Sequence, residues 1–263
     1  MKLRWLLLFC LALPFWGEAQ LETQQPEKRS HLAIQADAFW GFDGLGNYFY
    51  SKNNVLFKHH ESGVLQYQNL PFGKLKSVDI TQPLRPILFY ENFNAVVVLD
   101  NFLNEIQVVE FSTIPTPIMI TAVGMANQNR LWGYDAVMQQ IGMYHLTTGS
   151  FSPIGNPVPG SWKYYQCAFN SLTWIDAKNH WKSITIYGHI SDYGQLPEGM
   201  YYFVNENVVL VYNHETWTLW NRLTGKKSSF EIVEKSVKNF SCNDQILSIF
   251  TAEGITNYKI TVP

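Results

Sequence analysis

Two apolar blocks, Ile87–Tyr90 and Ala95–Leu99, sit on either side of a polar turn, and neither alternates with polar residues. A hairpin with one face in water reads apolar, polar, apolar, polar, so Ala95-Val-Val-Val-Leu must be covered on both faces. The stretch that follows, 105–111 (EIQVVEF), mixes the two classes as an exposed outer strand does.

The same arrangement recurs along the chain. Strand-like runs follow an Asn, Asp or Pro step at Asn47 (YFYS), Pro86 (ILFYE), Asn129 (RLWGYD), Asn170 (SLTWID), Asn207 (VVLVYN) and Asn243 (DQILSIF). Their starts are 39, 43, 41, 37 and 36 residues apart. A second series begins at Val55, Ala95, Gln140, Lys182, Thr216 and Ile255, with spacings of 40, 45, 42, 34 and 39. Two series keeping one period of about 40, with several short strands per unit, predict a β-propeller. The middle strands of each blade lie between neighbouring blades and can be apolar throughout. No stretch of about 11 residues shows helical spacing, so the class is all-β.

Six units fit, with five blades and one irregular unit as the alternative. The sixth unit stops after 255–262, without residues for an outer strand. The apolar segment 31–35 (HLAIQ) is expected to supply that strand and close the ring, since an open sheet edge is a template for aggregation. The outer strand of the fourth unit, around 189–194, and the 153–159 connection are the weakest parts of the pattern.

The first residues alter the picture of where the chain works. Lys2 and Arg4 precede an apolar block at 6–13, and Gly17-Glu-Ala19 follows with small residues. This pattern reads as a secretory signal peptide over 1–19, cut between Ala19 and Gln20. The block is shorter than the roughly 20 residues a membrane-spanning helix needs. Residues 20–29 read as a flexible polar lead-in and 30–263 as the propeller domain. The expected location is the periplasm, with no integral membrane segment in the mature chain.

The whole chain carries 19 basic and 21 acidic residues; without Lys2, Arg4 and Glu18 the balance is 17 against 20, or −3. No basic surplus is present to neutralise phosphates, so nucleic acid is not an expected partner. Aromatics make up 15% and charged residues 15%, against a usual charged share of about a quarter. Such a chain has aromatic surface to spare for a partner.

Candidate chemistry is sparse. Cys167 and Cys242 are expected in channel-lining strands of units four and six, too far apart to bridge. They form no CxxC and no zinc spacing with histidine. His59-His60 are neighbours on a strand and point to opposite faces, so they cannot share a metal. His180 and His214 read as turn residues. Asp43-Gly-Leu-Gly-Asn47 lacks the alternating carboxylates of a calcium loop and reads as a hairpin turn. Asp37, Asp79, Asp100, Asp135, Asp176 and Asp192 fall mostly at strand ends, where they accept hydrogen bonds from turn amides. Trp132 and Trp174 occupy matching places in units three and four, which speaks for packing between blades. Trp162 and Trp181 lie near connections, where an exposed ring could meet a partner or a sugar. No catalytic, cofactor-binding or metal-binding residue is assigned.

The stretch 84–106 (LRPILFYENFNAVVVLDNFLNEI), together with the EAQ ending of the signal, resembles a family of small exported propeller proteins of Bacteroidetes. The resemblance implies a family that includes or neighbours the plug-like periplasmic subunit of the type IX secretion translocon. The resemblance spans about one blade. It implies that Asp100, Asn101 and Asn104 are turn-forming signature residues and that the partner is a protein, an outer-membrane complex. The expected function is a non-enzymatic interaction scaffold, monomeric alone and free of cofactors. The alternatives are a propeller hydrolase of lactonase type using acids at the channel mouth, and a carbohydrate- or peptide-binding module.

Overall fold

The computed structural model describes residues 22–23 and 25–263, and the chain forms a six-bladed β-propeller. The expected signal peptide lies outside the described residues. Blade 2 is the opening pattern: Ser77–Asp79 innermost, then Ile87–Tyr90, Ala95–Leu99 and the outer Glu105–Glu110, all antiparallel. Blade 1 runs Ala38–Phe42, Tyr48–Lys52, Val55–His60 and Gly63–Tyr67, and blade 3 runs Ile120–Met125, Arg130–Asp135, Gln140–His145 and Ser150–Pro153. Blade 4 comprises Trp162–Cys167, Ser171–Asp176, His180–Thr185 and Ile190–Gln195, so the unit whose outer strand was hard to read is complete. Blade 5 comprises Met200–Asn205, Val208–Asn213, Thr216–Asn221 and Lys227–Glu231.

The middle strands of blade 2 are covered on both sides, with no residue of Ile87–Tyr90 or Ala95–Leu99 more than 2% exposed. Alternation is still present, but both sides of it are apolar. Ile87, Phe89, Val96 and Val98 pack on Ile120, Val123 and Leu131 of blade 3. Leu88, Tyr90, Ala95, Val97 and Leu99 pack on Phe49 and Leu56 of blade 1. Each of the six apolar clusters fills one gap between neighbouring blades.

The last gap is the thinnest: between blades 6 and 1 only Phe39, Phe250 and Ile255 are fully buried. There the ring is closed. Blade 6 contributes Asn239–Asn243, Ile246–Phe250 and Ile255–Lys259, and the N-terminal Glu27–Leu32 adds its outer strand, with Glu27 opposite Lys259 and Leu32 opposite Ile255. The closing strand therefore starts inside the segment read as a lead-in and ends before residue 35. Its sequence, EKRSHL, is polar because an outer edge strand faces water. The apolar Leu32, Ile34 and Ala36 instead line the passage into blade 1, against Phe39, Phe250 and Ile255. Gly254 makes room for the closure: a Cβ there would lie 2.1 Å from the Leu32 carbonyl oxygen, and its φ is +128°. Further out, Glu22–Thr23 pairs in parallel with Ser228 and Ser229, giving blade 5 a fifth strand.

Tryptophans fill the gaps between blades. Trp132 and Trp174 occupy matching second strands and share the gap between blades 3 and 4, where the Trp132 Nε1 donates to the Ala168 carbonyl at 2.8 Å. Trp181 is buried at 2% exposure, not open near a connection; its ring stacks on Phe203, with centroids 5.8 Å apart, between blades 4 and 5. Trp162 is half-buried between Tyr134 and Trp174, at 4.3 and 5.1 Å. No helix among the described residues is long and apolar enough to cross a membrane.

Candidate functional site

The innermost strands bring one acid into the middle of the ring. Asp79 ends the short first strand of blade 2; its Oδ1 accepts from the Thr81 amide at 2.8 Å and its Oδ2 from the Met125 amide of blade 3 at 2.7 Å. Gly124 permits this approach, because a Cβ there would lie 2.6 Å from Asp79 Oδ2 and 2.7 Å from Cys167 Sγ. Burial raises the Asp79 carboxyl above its ordinary value, against the pull of the Thr81 and Met125 hydrogen bonds. The same burial, with the Asp79 charge adding to it, pushes the Cys167 thiol far above its ordinary value. Cys242 is pushed up to about 12, by burial first and then by Asp244. Both thiols are buried and free, in the innermost strands of blades 4 and 6, and neither has the lowered pKa of a nucleophile. Tyr165 and Tyr202 are raised as well, both chiefly by burial.

The other aspartates are occupied in holding turns. Asp43 Oδ1 accepts from the Leu45 and Asn47 amides, each at 2.9 Å, and its Oδ2 from the Asn47 side-chain amide at 2.8 Å. Asp100 repeats the arrangement with Phe102, Asn104 and the Asn104 side chain, at 2.7, 2.8 and 3.0 Å. Asp-x-x-x-Asn is thus one turn used twice. Its second copy bends the chain sharply enough to put the buried Leu103 at φ +63°. Asp135 accepts from the Val137 and Met119 amides at 3.0 and 3.3 Å, and Asp37 from the Asn53 amide at 2.6 Å.

Between the two Asp-x-x-x-Asn turns lies a residue whose role the sequence did not reveal. Lys58, in the third strand of blade 1, is 2% exposed and donates from Nζ to the Asn101 carbonyl at 2.9 Å and to the Asn101 Oδ1. Burial lowers its pKa, and the charges of Asp43 and Asp100 act in the opposite sense. Asn101 of the signature stretch is therefore a latch between blades 1 and 2.

One histidine meets an acid. His180 opens the third strand of blade 4, not a turn, and its Nδ1 lies 3.0 Å from Asp192 Oδ2. Lys182 bridges to Asp176 at 2.8 Å. Burial alone would raise Asp192, but the Gly194 amide, His180 and Lys182 hold it below its ordinary value. Asp176 is likewise depressed, with burial outweighed by Lys182 and the His180 and Lys178 amides. The group is a partly exposed ionic cluster on the outer half of blade 4. His59 stacks on Tyr48 at 4.7 Å, and His60 meets Ser62 Oγ at 3.0 Å. Among the described residues no three His, Cys, Asp or Glu side chains converge as a metal-ligand set.

Sequence reading also missed a groove of about 650 Å³ between blades 2 and 3, on the face carrying the hairpins between second and third strands. Pro117, Ile118, Met119, Val137, Met138 and Phe151 give it a mostly apolar wall. Its signal was present in the loops 111–119 and 136–139, and in 154–161 beside them, where the Val158 amide donates to the Gln139 carbonyl at 2.7 Å; none of the three holds an Asp, Glu, Lys or Arg. Only the ring brings them together.

No family model matches the chain, and no curated protein does. Many solved structures do. The propeller domain of Cps50 (Swd1) from Myceliophteria thermophila superposes with a TM-score of 0.61 at 9% identity, covering 90% of this chain and all of that one. Virginiamycin B lyase from Staphylococcus aureus matches with a TM-score of 0.55 at 14% identity, covering 91% of this chain and 90% of that one. The likeness establishes the fold. PorZ, a surface component of the type IX secretion system of Porphyromonas gingivalis, aligns at a TM-score of 0.48 and 12% identity, over 88% of this chain and 37% of that one.

Proposed function

We propose that this propeller is a non-enzymatic scaffold that holds a protein partner in the periplasm, as an accessory subunit of an outer-membrane secretion machine. The observation that carries the reading is the placement of large apolar side chains in the loops. Leu45, Leu84, Phe102, Phe169, Tyr187 and Leu223 are exposed in turns of one face, and Met119, Val137 and Met138 on the other. Water-facing apolar groups grouped on loops favour association, and a rigid ring presents them at little entropic cost. The acids that might serve catalysis accept hydrogen bonds from turn and strand amides. Export and the secretion machine rest on the signal-like start and on the resemblance of 84–106.

Affinity purification of the tagged full chain from the envelope of its own host, with mass spectrometry, tests this. Recovery of an outer-membrane protein assembly at fixed stoichiometry is expected; a chain that elutes alone under mild solubilisation contradicts it. A second reading, a propeller hydrolase, has one observation in its favour: Asp79, a water-accessible acid deep in the ring with its pKa raised. Asp79→Asn would remove that activity and leave a scaffold intact.

A further inference from the structure

We infer that the groove between blades 2 and 3 holds an uncharged, apolar stretch of the partner protein, with one large side chain seated in it. This rests on the scaffold reading and names where and what that scaffold grips.

Four observations converge on this occupant. The walls are mostly apolar, and three of the polar residues among them, Asn94, Asp135 and Gln140, are bonded to the protein's own backbone. Asn94 donates to the Ile118 carbonyl at 2.6 Å and accepts from the Ile120 amide at 2.9 Å. Gln140 donates to the Ile154 and Gly155 carbonyls, each at 3.1 Å, and Asp135 holds the Met119 and Val137 amides. The groove is thus preformed. Its volume, about 650 Å³, falls in the range that seats a few large side chains or one small molecule.

The surroundings choose between those. Met119, Val137 and Met138 are 54%, 70% and 69% exposed, and Phe93, on the blade 2 hairpin of the same face, is 51% exposed. That spread is wider than a small ligand covers and suits a polypeptide. The charge-free surround, 9, 4 and 8 residues long or 21 together, selects its chemistry. The one carboxylate in the lining, Asp135, is 3% exposed and its Oδ1 accepts from the Met119 and Val137 amides. A charged segment laid there would therefore lose hydration with little to replace it, whereas an apolar one would not. Methionines at the rim can repack around an aliphatic or aromatic anchor. Pro115, Pro117, Pro157 and Pro159 stiffen the loops, so little freedom is lost on binding.

The test places a photo-crosslinking amino acid, p-benzoylphenylalanine, at Val137 in the full chain, and in a separate protein at Tyr187 on the opposite face. Both positions are exposed, and both proteins are irradiated in intact cells of the host with the crosslinked peptides sequenced. The expected result is a crosslink from position 137 to a segment of another protein free of Asp, Glu, Lys and Arg and containing an aromatic, Leu or Met. Its yield should fall at least tenfold when Met138→Asp is added, with the thermal melt unchanged. A crosslink to a charged segment, to a second copy of this chain, or to nothing overturns the inference. If position 187 captures a protein and position 137 does not, the groove assignment falls and the scaffold stands. If neither does and envelope purification also returns the chain alone, both fall.

Discussion

At 2% exposure, Lys58 donates to Asn101, and while burial lowers its pKa the charges of Asp43 and Asp100 oppose that shift. Lys58→Met leaves the Asn101 oxygens without their donor and should cost about 2–3 kcal/mol, the usual worth of a hydrogen bond to a charged group. Urea unfolding measures it; a loss under half a kcal/mol would show that blades 1 and 2 do not depend on the latch. Asp79 gives a pH signature. Its folded pKa is raised above the ordinary 3.8, so its contribution is fully present below about pH 4 and is lost as pH rises through the folded value. Asp100, Asp176 and Asp192 are depressed instead, and their contribution is lost as pH falls below that range. The two windows do not overlap. The stability difference between Asp79→Asn and the parent should therefore move in favour of the variant as pH rises from 4 to 8. A flat difference would mean that the carboxyl is not desolvated. The turn acids could be read from sequence because their partners are local. Asp79 was legible only in its bond to the Thr81 amide; its Met125 partner and the Asn101 partner of Lys58 lie 46 and 43 residues away.

Among the elements, the second and third strands were legible throughout, whereas of the outer strands 105–110 was read and most of the others, like the first strands, were not. Middle strands are packed on both sides and so read as apolar runs such as Val208–Asn213. Innermost strands are short or of mixed composition; Ser77–Asp79 is three residues long and half-buried throughout. The closing strand faces water and reads as a linker. Truncation to Glu27 removes the two-residue strand on blade 5 and should cost little, whereas truncation to Ala33 strips the closing strand. The second should lower the melting temperature by about 10 °C or more, given that each kcal/mol shifts a domain of this size by about 2–4 °C. Equal melting of the two truncations would mean that the ring does not depend on that strand. Val97→Asp places a carboxylate where exposure is 0% and should leave no folded protein, by circular dichroism. A cooperative melt near that of the parent would contradict the two-sided packing.

Taken as one molecule, the ring separates what holds it together from what it offers. Six apolar gaps, the closing strand and the carboxylate-capped turns make a rigid disc, and the apolar loop tips and the mostly apolar groove are left for a partner. The groove was illegible in sequence because its three loops, harmless singly, become a surface only when blades 2, 3 and 4 stand side by side. The scaffold claim is tested most directly by complementing a deletion strain with Asp79→Asn, the variant of the one acid placed for chemistry in the channel, with protein levels checked by immunoblot. The expected result is full complementation at parental abundance. A variant that accumulates normally and restores nothing would show that the channel acid is catalytic and that the ring is an enzyme.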